Sequence, residues 1–373
     1  MQRQANSNEQ PRCVAGNAAR SIVVVIAAVL YGTGCVSIGP QTIPKDRVDY
    51  LDSIGESWKR QTLLNILRLR YMDTPMFLDV SSVVASYGVG ATVGADAKVG
   101  TTSAASSLSQ VGVSGSANFT NNPTITYVPL TGSKFLRSLI ESVPPTTVLS
   151  LVEVGYPANF VLELGVESIN GLRNRSDHGG RVRKADPEFL RLASLLSQIQ
   201  DESGMGLRIE ESGDKQPKVV LFFRPERMTS ESLALAVEVR QLLGLAEDLN
   251  EYKIIFSPGR GKPDELAINS RSVMQMMSAL ATFVEVPPED IAAGAATPVP
   301  DTTLWGSKPL LQVSSGSAPP RNAFVAVKYH NHWFWINDGD WRSKRTLSTV
   351  LFLFTLTDTD TGGRAPVLTI PVK

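Results

Sequence analysis

From Val83 to Val99 every odd position is small or apolar (Val, Ala, Tyr, Val, Ala, Val, Ala, Ala, Val), while the even positions from Val84 to Lys98 read Val, Ser, Gly, Gly, Thr, Gly, Asp, Lys. Alternation with a period of two puts the apolar side chains on one side of an extended strand. A soft stretch of Gly, Thr, Ser and Ala follows at residues 100–107. Val111, Val113, Gly115, Ala117 and Phe119 then alternate with Gly112, Ser114, Ser116, Asn118 and Thr120, and the pattern returns at Ile125 and Tyr127. Glycine and β-branched residues fill both stretches and disfavour helix. The two runs are expected to pair as a hairpin with Val99 opposite Val111 and Ala91 opposite Phe119, which brings both apolar sets to one face.

The run from 83 to 99 has 17 residues. Globular strands average about five or six, and a strand crossing a bilayer in a barrel needs about 9–11. Two readings follow. In the first, Val83, Tyr87, Val89, Val93, Val111, Val113, Phe119 and Tyr127 form a face toward lipid, and the Ser, Gly, Thr and Asn face, with Asp96 and Lys98, meets water. One hairpin leaves two unpaired edges in lipid, so closure requires at least about four copies to reach eight strands. In the second, the Ala- and Val-rich face packs on the protein's own helices.

The N-terminus places this hairpin in a cell envelope. Arg3, Arg12 and Arg20 form a basic leader with one acid, Glu9. An apolar run, Ile22–Tyr31, follows, then Gly32, Thr33, Gly34 and Cys35. Basic, apolar and small segments in that order predict a secretory signal peptide over 1–34. The apolar run falls well short of the roughly 20 residues that span a bilayer as a helix; an uncleaved anchor is the alternative. Cys35 stands where a bacterial lipobox has its acylated cysteine. Gly34 fits that pattern, and Gly32 departs from it, since Leu is preferred there. Several acyl chains on one cysteine anchor far better than a single chain. Resemblance to such lipoproteins implies the outer membrane, because Val36, and not an aspartate, follows the cysteine. The expected partner is therefore the lipid bilayer through Cys35.

Cys13 would leave with the leader, so no second thiol remains for a disulfide or a cysteine metal cluster. After cleavage 339 residues remain, with 33 basic and 35 acidic side chains and a formal charge of −2. Nucleic acid would ask for a basic excess, so it is not an expected partner.

The remaining chain is expected to be an α+β fold of mixed helices and mostly antiparallel sheet. Residues 35–46, with Pro40 and Pro44, are read as a lipidated tether, and 47–132 as a helix (47–71) plus the hairpin. An α+β domain follows over 133–291. Within it, helices are expected at Pro187–Gln200, behind Asp186, at Ser230–Leu243, stopped by Gly244, and at Ser270–Val286. Residues 159–169 fit strand or helix, and 170–180 read as a polar loop. Residues 292–320 are read as a linker or long loop. The C-terminal part, 321–373, is read as a hairpin (324–329 with 333–336), a helix (344–356) and a closing strand (367–372).

The search for catalytic chemistry finds little. His330-Asn331-His332 has the letters of a nuclease motif without its dispersed ligands, and reads as a solvated hairpin tip. Ser257–Pro263 lacks the G-x-x-x-x-G-K-[ST] spacing of a phosphate loop and reads as a turn. No G-x-S-x-G elbow, H-E-x-x-H or dinucleotide fingerprint occurs. No catalytic residue, metal site or cofactor is expected. Trp333, Phe334, Trp335 and Trp341 read as core before ligand site.

Gly34-Cys35-Val36 with the Pro-rich stretch after it, residues 65–71 (Asn-Ile-Leu-Arg-Leu-Arg-Tyr), 122–127 (Asn-Pro-Thr-Ile-Thr-Tyr), 168–174 (Ser-Ile-Asn-Gly-Leu-Arg-Asn) and 343–346 (Ser-Lys-Arg-Thr) resemble an uncharacterised family of proteobacterial lipoproteins. That resemblance implies a localisation and no chemistry. The plan of anchor, soluble part and amphipathic hairpin is similar to lipoprotein export channels such as the curli secretion pore. The expected role is a non-enzymatic outer-membrane lipoprotein, lipid-anchored on the periplasmic side, that assembles as a homo-oligomer into a channel, export device or scaffold. The alternatives are a periplasm-facing binding or accessory lipoprotein with a soluble hairpin, and an envelope hydrolase.

Overall fold

The computed structural model describes residues 38–102, 105–131, 133–178, 181–210, 218–300 and 308–357. Cys35 and the expected strand at 367–372 lie outside them. The fold is α+β. Among the described residues it has nine α-helices, and of its strand pairings only one is parallel. By contacts within the chain, the described residues up to Asp52 form one compact unit with Tyr87–Thr120, and Ser53–Ser86 with Asn121 onward form another.

The first helix, α1, runs Ile38–Arg70. It starts inside the expected tether and holds Pro44 within it. Pro40 falls in the first turn, where backbone N–H groups have no helical acceptor and proline loses nothing. A proline at such a position is compatible with a helix start, so prolines alone do not mark a tether.

The alternating region forms four strands, β1 (Phe77–Val84), β2 (Tyr87–Thr102), β3 (Ala105–Asn121) and β4 (Thr124–Leu130), paired β1 with β4 and β2 with β3. The expected single strand over 83–99 breaks at Ala85–Ser86, and β2 and β3 extend into the stretch read as a soft loop. The register also differs. A Cβ on Gly88 would meet Thr120 at 3.7 Å, and one on Gly94 would meet Ser114 at 2.8 Å, so the strands sit two residues away from the Ala91–Phe119 pairing. Two residues is the side-chain period, so that shift keeps each apolar set on its face.

In the second unit the pair β1–β4 carries a bulge between Val80 and Ser82. Helices α2 (Ser133–Ile140), α3 (Pro145–Glu153) and α4 (Ala158–Gly165) follow. Residues 159–169, which fit helix or strand, are both: α4 and then β5 (Val166–Ile169). Asn170 and Gly171, at φ 43° and 86°, turn the chain into β6 (Leu172–Arg173). An Asn-Gly pair suits such a turn because both positions need positive φ. The polar loop therefore contains a hairpin, and β7 (Ser176–His178) with β8 (Arg181–Arg183) makes another. Helix α5 (Pro187–Asp201) follows β8. Strands β9 (Met205–Glu210) and β10 (Lys218–Phe223) lead to helix α6 (Ser230–Leu243).

The central sheet has the order β6-β5-β12-β11-β10-β9, with β11 (Glu251–Phe256) and β12 (Glu265–Ser270) as its parallel pair. Their connection, 257–264, has eight residues, whereas parallel crossovers usually take about a dozen or more. The stretch weighed as a phosphate loop is this crossover. At Gly261 the chain runs so near Glu265 that a Cβ would lie 2.8 Å from its carbonyl oxygen. The expected helix 270–286 is shorter, α7 (Val273–Ala281). Ser272 and Gln275 close its start as a reciprocal capping box.

The segment read as a linker or long loop is described at 292–300 and 308–320. It begins at the end of helix α8 (Pro288–Ala292), and Leu310, Leu311 and Val313 are buried in the core. Val313 bridges to Val284, and β13 (Ser314–Gly316) joins β15 (His332–Asn337) and β14 (Ala323–Tyr329) in a small sheet. Helix α9 (Trp341–Thr357) closes the described chain.

Candidate functional site: a long ribbon and a tyrosine latch

The ribbon β2–β3 is a two-stranded sheet of 16 and 17 residues. At about 3.3 Å per residue β2 is roughly 50 Å long. Each strand has a neighbour on one edge only among the described residues, so its outer backbone groups face no other strand. Of the expected face, Tyr87 and Val83 are half-buried, whereas Phe119 is 62 % and Tyr127 58 % exposed. Tyr87 and Phe119 stack at 5.9 Å between ring centroids. The side chains of Val89, Val93, Val111 and Val113 lie outside the described residues. The predicted residues are thus divided between two sheets, Val83 and Tyr127 on β1–β4 and the other six on β2–β3, and of the described rings Phe119 and Tyr127 stand largely in solvent while Tyr87 is half-buried.

The β1–β4 pair of the second unit is held in two ways. Asn65 and Gln61, one turn apart on α1, read the free edge at the start of β1 as another strand would. The Asn65 amide donates to the Met76 carbonyl at 2.8 Å and accepts the Met76 N–H at 2.8 Å. Gln61 does the same with Leu78, at 3.0 and 2.6 Å. On the apolar side Phe77 stacks on Phe354 at 4.8 Å and meets Phe135 at 5.8 Å, while Trp58 lies 5.6 Å from Phe354. Ring pairs in these ranges each add roughly 0.5–1.5 kcal/mol beyond burial. Sequence reasoning missed both fasteners, because an amide on a helix gives no sign of which backbone it will meet.

Beyond α1 a latch of tyrosines and carboxylates ties the chain to the C-terminal hairpin. The Tyr71 hydroxyl donates to Asp290 at 2.6 Å, and the Tyr329 hydroxyl donates to Asp73. The Tyr71 ring lies 4.5 Å from His330 and 5.4 Å from Tyr329. His330 Nε2 is 3.8 Å from Asp73, and His332 Nε2 is 3.6 Å from Glu289. The expected solvated tip is therefore half-occupied by contacts: the side chain of His330 is 40 % exposed and that of His332 21 %. Asn331 and His330, at φ 65° and 44°, make the tight turn. Of the expected aromatic core only Phe334 is fully buried; Trp341 is 66 % exposed.

Burial, then the hydrogen bond to Asp73 and its charge, pushes the Tyr329 phenol up to about 12. Burial and Asp290 push Tyr71 up as well. Both phenols are held in the neutral, donating form. Each phenol therefore serves here as a hydrogen-bond donor that ties two elements together. Among the described residues no group of three or more His, Cys, Asp or Glu could hold a metal, and no helix is long and apolar enough to cross a membrane. Compared with known proteins, the chain matches no family model, no curated protein and no solved structure.

Proposed function

We propose that this protein is a lipid-anchored, non-enzymatic component of a bacterial outer membrane that assembles with copies of itself through the β2–β3 ribbon, in a channel, export or scaffold role. The observation that carries the reading is a two-stranded ribbon of 16 and 17 residues with unshared outer edges. Two strands alone are marginal in water, and long free edges are templates for further strands. Copies of the ribbon side by side satisfy those edges, and in a closed ring they leave none. Exposed Phe119 and Tyr127 suit an interface where one side is apolar and the other wet. The order of the leader and Cys35 supports the anchor.

The test is extraction of the native protein in mild detergent, with imaging by negative stain and intact-mass measurement. The expected result is a ring of several copies, each starting at an acylated Cys35, and loss of membrane association in Cys35→Ala. Acylated monomers would remove self-assembly and leave the accessory-lipoprotein role. A chain starting at Met1 with a free thiol at position 35 would remove the anchor.

A further inference from the structure

A second feature, independent of anchor and ribbon, lies where the β6–β7 connection meets the start of α9. Arg175 is buried at 6 % exposure, with its guanidinium carbon 5.0 Å from the centre of the Phe283 ring. Its Nη1 is shielded from solvent and makes no hydrogen bond. On α9, Arg342 and Arg345 stand three residues apart, on one face. The Nε of each is likewise shielded and without an acceptor. Arg345 is sandwiched, 4.1 Å from the Phe160 ring and 4.9 Å from Trp341. Arg342 spends one Nη2 hydrogen on the Lys308 carbonyl, at 3.0 Å.

These cations are near enough to repel one another. Burial most, then Arg271 and then Arg342 disfavour the charge on Arg175; burial and then Arg342 disfavour that on Arg345. Arg271, fully buried, donates to the Arg175 carbonyl, and its own partner, Glu167, is shared with Arg183 at 3.0 and 3.1 Å. Glu163 is the acid whose charge favours that on Arg175. Five guanidinium groups thus stand with Glu163 and Glu167, while Asp340, just before α9, caps the helix by accepting the Ser343 N–H at 3.1 Å and the Ser343 hydroxyl at 2.5 Å. Shielded donors left without acceptors are costly, and each calls for an explanation.

We propose that Arg175, Arg342 and Arg345 form a binding site for an oxyanion of the phosphate class, with Arg345 stacked against the exposed ring of Trp341. The three unfilled N–H groups lie on three separate side chains. A phosphate offers several acceptor oxygens pointing apart, whereas a carboxylate offers two in one plane. Guanidinium forks match phosphate, and their charge-assisted bonds are about twice as strong as neutral ones. Filling the site also relieves the repulsion among the arginines, so the ligand stabilises the fold it binds. A free phosphate and a phospholipid headgroup share this chemistry.

The experiment is calorimetric titration of the full chain with inorganic phosphate and, separately, with dihexanoyl phosphatidylglycerol below its micelle concentration. Saturable binding of at least one probe is expected, at least tenfold weaker in R342Q/R345Q and unchanged in R137Q. Phosphate alone points to a soluble anion; the lipid alone, or more tightly, points to a headgroup. R342K/R345K keeps the charge and loses the fork, and is also expected to bind more weakly. Replacing chloride with phosphate at fixed ionic strength should raise the melting temperature of the wild type and not of R342Q/R345Q. No saturable binding of either probe, or equal affinity in R342Q/R345Q, overturns the site.

Discussion

Asn65 and Gln61 make the same pair of bonds to the backbone of β1, but Asn65 is fully buried and Gln61's pair is exposed. Removing a shielded partner costs about 1–3 kcal/mol, while a solvated one is replaced by water for about 1 kcal/mol or less. Asn65→Ala is therefore expected to lower stability in a urea melt by more than Gln61→Ala; equal losses would mean that the buried amide is not what holds the strand. Tyr329 tests the latch through pH. Its phenol is raised to about 12 in the folded chain, against about 10 when unfolded. A raised pKa means that the folded state keeps its proton longer. The latch's contribution is whole below pH 10 and is lost as pH climbs from 10 to 12. Tyr329→Phe should flatten the fall in stability over that window, as followed by denaturant melts at stepped pH. A slope identical to the wild type would discount the Asp73 bond.

At the scale of elements, two helices end with the same pattern of backbone bonds. After α6, Leu245 N–H reaches Arg240 and Gly244 N–H reaches Gln241; after α1, Asp73 N–H reaches Arg68 and Met72 N–H reaches Leu69. Both ends need a left-handed residue. Gly244 takes φ 63° and Met72 takes φ 60°, the latter with a side chain that disfavours it. Gly244→Ala is expected to destabilise and Met72→Gly to stabilise, each by about 1 kcal/mol. Differential scanning calorimetry would show melting points moving in opposite directions, and movement the same way would refute the comparison. The glycine stop was plain in the sequence and α6 has the expected limits, whereas nothing in the letters marks a methionine as a stop. The ribbon, α5 and the hairpin around His330 were legible for similar reasons: each rests on a local period, a proline at a helix start, or a turn. β12 was not, because Glu-Leu-Ala-Ile-Asn-Ser has no alternation; a strand buried between two others needs none. The arginine cluster was equally hidden, since it joins residues 175, 342 and 345 by tertiary packing. Cys35 rests on the order of the leader alone.

For the whole molecule, the division of the chain makes the ribbon separable. Replacing residues 89–119 with Asn-Gly joins the opposed Gly88 and Thr120 by a two-residue turn. The remaining chain should keep its helical circular dichroism and cooperative melting while losing any ring assembly; collapse of the fold would show that the ribbon is part of the core. The central sheet has a different weakness. β12 stands between β5 and β11, and it is made about a hundred residues after β5. Until the ribosome has passed Ser270, a nascent chain holds two half-sheets, β6–β5 and β11–β10–β9, each offering a raw side to its neighbours. Stalled or truncated products that stop before Glu265 are thus the species most prone to clump, because the strand that would seal both halves has yet to be synthesised.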